Sequence, residues 1–283
     1  MNIGDQPVID TRRLFAPERE ALLGVLESLT HEQWQLPTVC PGWTVHDVAL
    51  HLRWVDISNV SRRRDRYFGR PKDNPGNLDD LPTLIAFVNT LNDKWIGGAH
   101  RTSPPLLQTL LRIVGEEFSV YVQSIDIEAM GEGVGWSGPG PAPVWLDIAR
   151  EFTERWVHQQ HIRDAVGIPG ATEPLFLNPV LATFAMALPF ALKDVEADAS
   201  STAQLTITGA SGGSRTAIKM TEVWQFDVST DDPTGSVTMD QDTAWRLFTK
   251  GISREIGRDA STLTGDPGIA GAPEHGHDPG VIA

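Results

Sequence analysis

The sequence predicts an α+β protein, an N-terminal four-helix bundle followed by a small C-terminal α/β domain. Three observations carry this. Apolar residues recur at three- and four-residue spacing from about residue 10 to 170, the period of helices that bury one face. From about Ala203 the period falls to two, with turn residues between short runs. A chain of 283 residues also exceeds what one core usually organises. The expected division is 1–175 for the bundle, 176–266 for the α/β domain and 267–283 for a mobile tail rich in Gly and Pro.

Each element has a local reason. The first helix is expected from Asp10 to Leu29. Thr44 caps the second, with Asp47 at the third helical position, and the pattern continues to about Phe68. A third helix covers Leu81 to Gly97, and Pro104–Pro105 open a fourth that reaches about Ile127. After the loop GEGVGWSGPGPAP a fifth runs from Val144 to Val166 and is stopped by Gly167. Up-down packing is the natural arrangement for such helices. A helix from about Pro179 to Val195 joins the halves. AQLTITG and RTAIKM flank ASGGS as a hairpin, and VWQFDVS and GSVTM read as two further strands. DQDTAWRLFTKG is a capped helix ended by Gly251, and STLTGD a last strand. The GASGG stretch is a hairpin turn rather than a phosphate loop, because it does not open a helix.

Charge and cysteine content exclude several functions. Lys and Arg number 23 against 37 Asp and Glu, a net charge of -14, and each half carries -7, so neither hides a basic module. Such a chain repels the phosphates of nucleic acids and anionic membranes. Cys40 is the one cysteine, so an internal disulfide and a thiolate cluster are both excluded. The N-terminus lacks the basic-then-apolar order of a signal peptide, and the longest apolar run, Leu181 to Leu192, is too short to span a bilayer. A cytoplasmic protein, monomeric or homodimeric, is expected.

The chemistry concentrates on the histidines. His51 lies within about 40° of Val55 on a helical wheel, at the edge of the buried stripe of the second helix. In REFTERWVHQQHIRDAVG, Glu154 and His158 are four apart and share one face, with His161 three further along it. A Glu-x-x-x-His pair is also the spacing of an ordinary helical contact, so metal binding needs a third ligand from elsewhere, which His51 can supply. The apolar side of that helix centres on Ala149, Phe152 and Trp156, opposite the pair, while Leu146, Val157 and Ala165 lie nearer to it. Periodicity alone leaves the burial of the pair open. Arg62, Arg63 and Arg64 sit near the negative pole of the second helix. Trp43, Trp54, Trp145 and Trp156 flank the proposed ligands as core or pocket wall. Arg246 and Arg254 are placed to meet a carboxylate or to stay at the surface. Cys40 reads as a small buried residue, and His275 and His277 as a weak tract in the tail.

CPGWTVHDVALHLRWVD, followed a hundred residues later by ERWVHQQHIRDAVG, resembles the mycothiol-dependent maleylpyruvate isomerase family of DinB-like metalloenzymes. The resemblance implies a DinB-like four-helix bundle that holds Zn2+, or another divalent metal, through His51, Glu154 and His158. It implies a sterol-carrier-like domain at the C-terminus, matched by VTMDQDTAWRLFTKGISRE. It further implies mycothiol or a similar low-molecular-weight thiol as cofactor, with the metal-bound thiolate rather than a protein side chain as nucleophile. The expected outcome is isomerisation of a small electrophile or S-transfer to it. A metal-dependent hydrolase using zinc-bound water, and a nonenzymatic binding protein, are the alternatives. His161 stands where relatives commonly carry an acid, which suggests an extra ligand or a substrate contact. His161, Arg246, Arg254 and Trp54 are the expected substrate or outer-shell residues.

Overall fold

The computed structural model describes residues 3–69, 81–138, 140–228 and 230–271. It is an α+β structure of two compact units interleaved along the chain. Among the described residues one unit holds 11–126 and 154–171, the other 3–10, 127–153 and 172–271.

In the first unit, α1 (Phe15–Ser28), α2 (Val45–Asn59), α3 (Leu81–Ala99) and α4 (Pro104–Gln123) meet the C-terminal part of α5 (Val144–Val166). Leu22, Leu26, Val45, Ala49, Leu52, Leu107, Leu111 and Ile162 form one core, each essentially excluded from solvent. The expected cap of α2 is present: Thr44 Oγ1 accepts from the Asp47 N–H, and Asp47 Oδ2 accepts from the Thr44 N–H at 2.9 Å. Beyond Asn59 the helix widens into one π turn, Val60–Arg64, and stops, because the Asp65 N–H closes on the Val60 carbonyl at 3.1 Å. The helix therefore ends short of the expected Phe68. Likewise α1 starts at Phe15 rather than Asp10, a short 3-10 turn at Arg12–Leu14 preceding it.

The position of α5 is set by buried charge. Asp56 of α2 is fully buried between two guanidiniums: Arg19 of α1 donates to its Oδ2 at 2.6 Å, and Arg155 of α5 donates to its Oδ1 at 2.9 Å. Gln159, one turn beyond Arg155, donates to the Glu18 carbonyl at 3.0 Å and to Glu18 Oε1 at 2.8 Å. The Arg155 guanidinium also lies over the Phe118 ring of α4, 4.3 Å from its centroid. These bonds cross three elements, so α5 cannot rotate without leaving buried charge unmatched.

The second unit carries a sheet of order β3-β2-β1-β4-β5 from β1 (Thr202–Thr208), β2 (Gly213–Lys219), β3 (Trp224–Asp227), β4 (Gly235–Asp240) and β5 (Thr262–Gly265). β1 and β4 are parallel and the other neighbours antiparallel. Ala203, Leu205, Ile207, Val237 and Met239 alternate inward, beneath α8 (Gln241–Phe248), which Asp240 caps. The joining helix begins at Pro174, five residues before the expected Pro179: α6 (Pro174–Ala185) accepts Pro174 at its first position and carries Pro179 inside, and the separate turn α7 (Leu188–Ala191) follows. The structure adds two short helices that the periodicity does not predict, α9 (Arg254–Asp259) and α10 (Pro267–Ala270). The expected tail is thus ordered at its start, where Ile269 and Ala270 are buried and Gly235 permits the approach, since a Cβ there would lie 2.8 Å from Ile269. His275 and His277 lie outside the described residues. Among the described residues no helix is long and apolar enough to cross a membrane.

Removing the carboxylate charge of Asp56 leaves two buried guanidiniums facing a neutral group. Asp56→Asn is expected to lower unfolding stability by about 3–5 kcal/mol, read as a fall in the urea midpoint at unchanged m-value.

Candidate metal centre

The loop before α2 is a tight turn. The Trp43 N–H bonds the Cys40 carbonyl at 3.0 Å, enclosing Pro41 and Gly42, and Gly42 has φ +81. Proline followed by a positive-φ glycine is the signature of a type II turn, and a side chain at Gly42 would strain it. Thr38 Oγ1 accepts from the Cys40 N–H at 3.2 Å and donates to the Trp43 carbonyl at 2.9 Å. The turn thus holds Cys40 at one end and Trp43 at the other.

Against it stand three side chains of α5 and one of α2. His51 Nε2 lies 3.2 Å from Glu154 Oε1, and His158 Nε2 lies 3.3 Å from the same oxygen. The two imidazoles meet edge to face at 4.7 Å between centroids. Trp43 covers both, at 5.0 Å from His51 and 6.3 Å from His158. His51 and His158 are each 1% exposed, so water has little access to the ring nitrogens.

A tetrahedral ion with bonds of about 2.05 Å to nitrogen and about 2.1 Å to oxygen separates its donors by about 3.4 Å. The observed 3.2 and 3.3 Å match that spacing, and two imidazoles with one carboxylate form a donor set suited to zinc with a coordination position left for another ligand. The residues fit the metal.

The electrostatics say how the three groups share protons when no ion is present. Burial pushes His51 down, towards its neutral form, against the pull of the Glu154 carboxylate. Burial would lower His158 too, but the Glu154 charge and the Cys40 thiol outweigh it and push His158 up to about 10. Burial would raise Glu154, yet the two histidines hold it below the usual carboxylate range. Without an ion the balance therefore favours a protonated His158 beside an ionised Glu154, with His51 neutral.

Of the residues expected around this site, His161 is buried on the same helix, its ring 5.3 Å from that of His158. Trp54 instead stacks on Trp95 at 3.6 Å, and Trp43 takes the place beside the histidines. Trp156 is buried with its Nε1–H on the Ala171 carbonyl at 2.6 Å. Trp145, Arg246 and Arg254 belong to the other unit, where Trp145 is buried, Arg246 bonds Asp242 at 2.9 Å and Arg254 is exposed at the start of α9. Arg64 is paired with Asp65 and Glu117. Cys40 is buried as expected, but sequence reasoning missed its neighbours: its Sγ lies 3.2 Å from His161 Nδ1 and 4.0 Å from His158 Nδ1. Its place at the head of CPGW was the available signal.

The family model of the mycothiol maleylpyruvate isomerase N-terminal domain matches residues 15–163. The uncharacterized protein Rv0036c of Mycobacterium tuberculosis strain H37Rv is 26% identical over 157 residues, 53% of this chain and 54% of its own length. The uncharacterized protein MT0041 of strain CDC 1551 matches to the same extent. The chain thus spans about half the length of the curated relatives it matches. The crystal structure of a histidine-to-alanine mutant of the mycothiol-dependent maleylpyruvate isomerase superposes with a TM-score of 0.52 at 13% identity, covering 93% of this chain and 95% of that one, which shows a common fold.

An ion at the triad would displace the extra proton on His158, so apparent zinc affinity should rise with pH up to about 10, by about tenfold per pH unit where His51 is already neutral. Chelator-competition titrations at several pH values check the slope. His51→Ala and Glu154→Ala should each weaken zinc at the triad by at least about a hundredfold in the same titration.

Proposed function

Because the chain belongs to the mycothiol maleylpyruvate isomerase N-terminal domain family, we propose that it is a zinc enzyme that uses a low-molecular-weight thiol of the mycothiol class to isomerise, or to be transferred onto, a small electrophile. The observation that carries this reading is the convergence of His51 Nε2 and His158 Nε2 on one oxygen of Glu154, at 3.2 and 3.3 Å. Those three residues would hold the metal. Bound there, zinc supplies Lewis acidity that keeps a coordinated thiol deprotonated near neutral pH, the species that attacks an electrophilic carbon.

The chain's own groups do the rest. Glu154 would supply negative charge at the site, its Oε1 lying 3.2 Å from His51 Nε2 and 3.3 Å from His158 Nε2. Trp43 lies beside both histidine rings and, with the surrounding core, keeps water from competing for the coordination position. Asp56, through Arg155, sets the rotation of α5 that turns Glu154 and His158 towards His51. No protein nucleophile is required in this scheme. By their charge, Arg246 and Arg254 are proposed as groups that bind a substrate carboxylate. The division of labour into 1–175 for metal binding and 176–266 for a sterol-carrier-like domain is part of the same proposal.

Zinc-loaded protein supplied with mycothiol should convert maleylpyruvate, or form an S-conjugate with a small electrophile, at a rate that vanishes without the thiol. Glu154→Gln should lower turnover by on the order of a hundredfold or more. Thiol-independent hydrolysis by the zinc form would replace this reading with that of a hydrolase. In a second assay, Arg246→Ala should raise KM for a carboxylate substrate with little change in kcat, and an unchanged KM would remove Arg246 from the substrate site.

A further inference from the structure

A second group of metal donors lies on the opposite edge of the His158 ring. The triad engages Nε2 of that histidine, whereas its Nδ1 faces the sulfur of Cys40 at 4.0 Å, and the same sulfur lies 3.2 Å from His161 Nδ1. All three residues are buried, none more than 5% exposed, and one ligand atom from each lies within 4.8 Å of the others. A metal-bound histidine ordinarily donates its second ring N–H to a carboxylate or carbonyl. Here the neighbour is a sulfur, at a distance too long for more than a weak contact.

A tetrahedral ion with bonds of about 2.3 Å to sulfur and about 2.05 Å to nitrogen separates these donors by about 3.6 Å. The two observed distances, 3.2 and 4.0 Å, bracket that value. A simple thiol–imidazole hydrogen bond would account for the shorter distance but not for the second imidazole turned on the same sulfur. The turn geometry also matters, since Thr38 and the Pro41–Gly42 pair hold the Cys40 backbone in place.

We propose that Cys40, His158 and His161 form a second metal site, which takes a borderline-soft divalent cation of the zinc type through Sγ and the two Nδ1 atoms. His158 then bridges the two sites as an imidazolate. On binding, the Cys40 thiol proton and the ring protons of His158 leave to solvent, and no electron transfer is involved. The ion ties the Cys-Pro-Gly-Trp turn to α5 and fixes the ring orientation that the triad requires. The site uses donors that the thiol chemistry proposed above leaves idle, and the two readings share only His158.

Cobalt(II) titration of the full-length, metal-free protein separates them, because a thiolate ligand gives an intense sulfur-to-cobalt charge-transfer band that imidazoles and carboxylates do not. The wild-type chain should show this band. Cys40→Ser should abolish it and lose one equivalent of cobalt, and His161→Gln should weaken it strongly, both with unchanged circular dichroism. His51→Ala should keep the band. A wild-type protein without the band, a Cys40→Ser protein that retains it, or loss of the band in His51→Ala would overturn the second site. If His51→Ala instead left both the band and the cobalt uptake as in the wild type, the triad reading would fall while this one stood.

Discussion

Asp56 holds the helical unit in register. Its two oxygens are divided between Arg19 of α1 and Arg155 of α5, and none of the three is exposed enough to trade its partner for water. Buried ion pairs of this kind contribute little net stability against an apolar replacement, but they penalise every misaligned packing heavily. Glu18 lies in the same network, where burial raises its carboxyl above the usual range while the neighbouring arginines pull against it. The cluster therefore acts on arrangement more than on overall stability. With Arg155 fixed, the residues on either side of it in α5 have their directions decided.

That constraint explains why α5 is at once polar and buried. Arg155, His158, Gln159, Gln160 and His161 are each 5% exposed or less, alongside Phe152, Trp156 and Ile162. A helix enclosed on several sides must match its polar groups internally, and α5 does so mainly by specific pairs: Arg155 and Gln159 hydrogen-bond Asp56 and Glu18, and His158 lies in ion-pair distance of Glu154. Of these, the Glu154 pair is the one whose donors have the spacing of a metal shell. Two imidazole nitrogens face one carboxylate oxygen there, and a divalent ion taken up between them would have to displace the extra proton that the Glu154 charge holds on His158.

The Cys-Pro-Gly-Trp turn does two things with four residues. Trp43 walls the two ring faces, and Cys40 reaches the far nitrogen of His158. The positive φ of Gly42 is what allows both ends of the turn to face α5, since the chain must reverse within two residues. His158 consequently stands between a hard partner, the Glu154 carboxylate, and a soft one, the Cys40 sulfur. The ring's two nitrogens are therefore not equivalent in chemistry, and what binds at one edge sets the charge available at the other.

Local rules are enough to read the α+β class, the capping box at Thr44 and Asp47, the β1–β2 hairpin and the Glu154–His158 pair, because each depends on residues within a few positions of one another. The inward direction of His51 is also legible, from its place beside Val48 and Val55 on the wheel. Helix ends are read less well. The π turn after Asn59 and the start of α6 at Pro174 follow from backbone bonds and neighbours that periodicity does not encode. The inward placing of Glu154 and His158 is undecidable from the wheel, whose apolar centre lies opposite them, because partners such as Asp56 and Glu18, about a hundred or more residues away, help to set the rotation of α5. Trp43, one of four tryptophans the sequence placed around the ligands, is the one shown against both histidine rings, and for the same reason that choice among the four and the approach of Cys40 to His158 and His161 across more than a hundred residues belong to the tertiary structure. Sequence spacing specifies which side chains share a face, but which faces meet is decided by long-range charge and packing that no single segment contains.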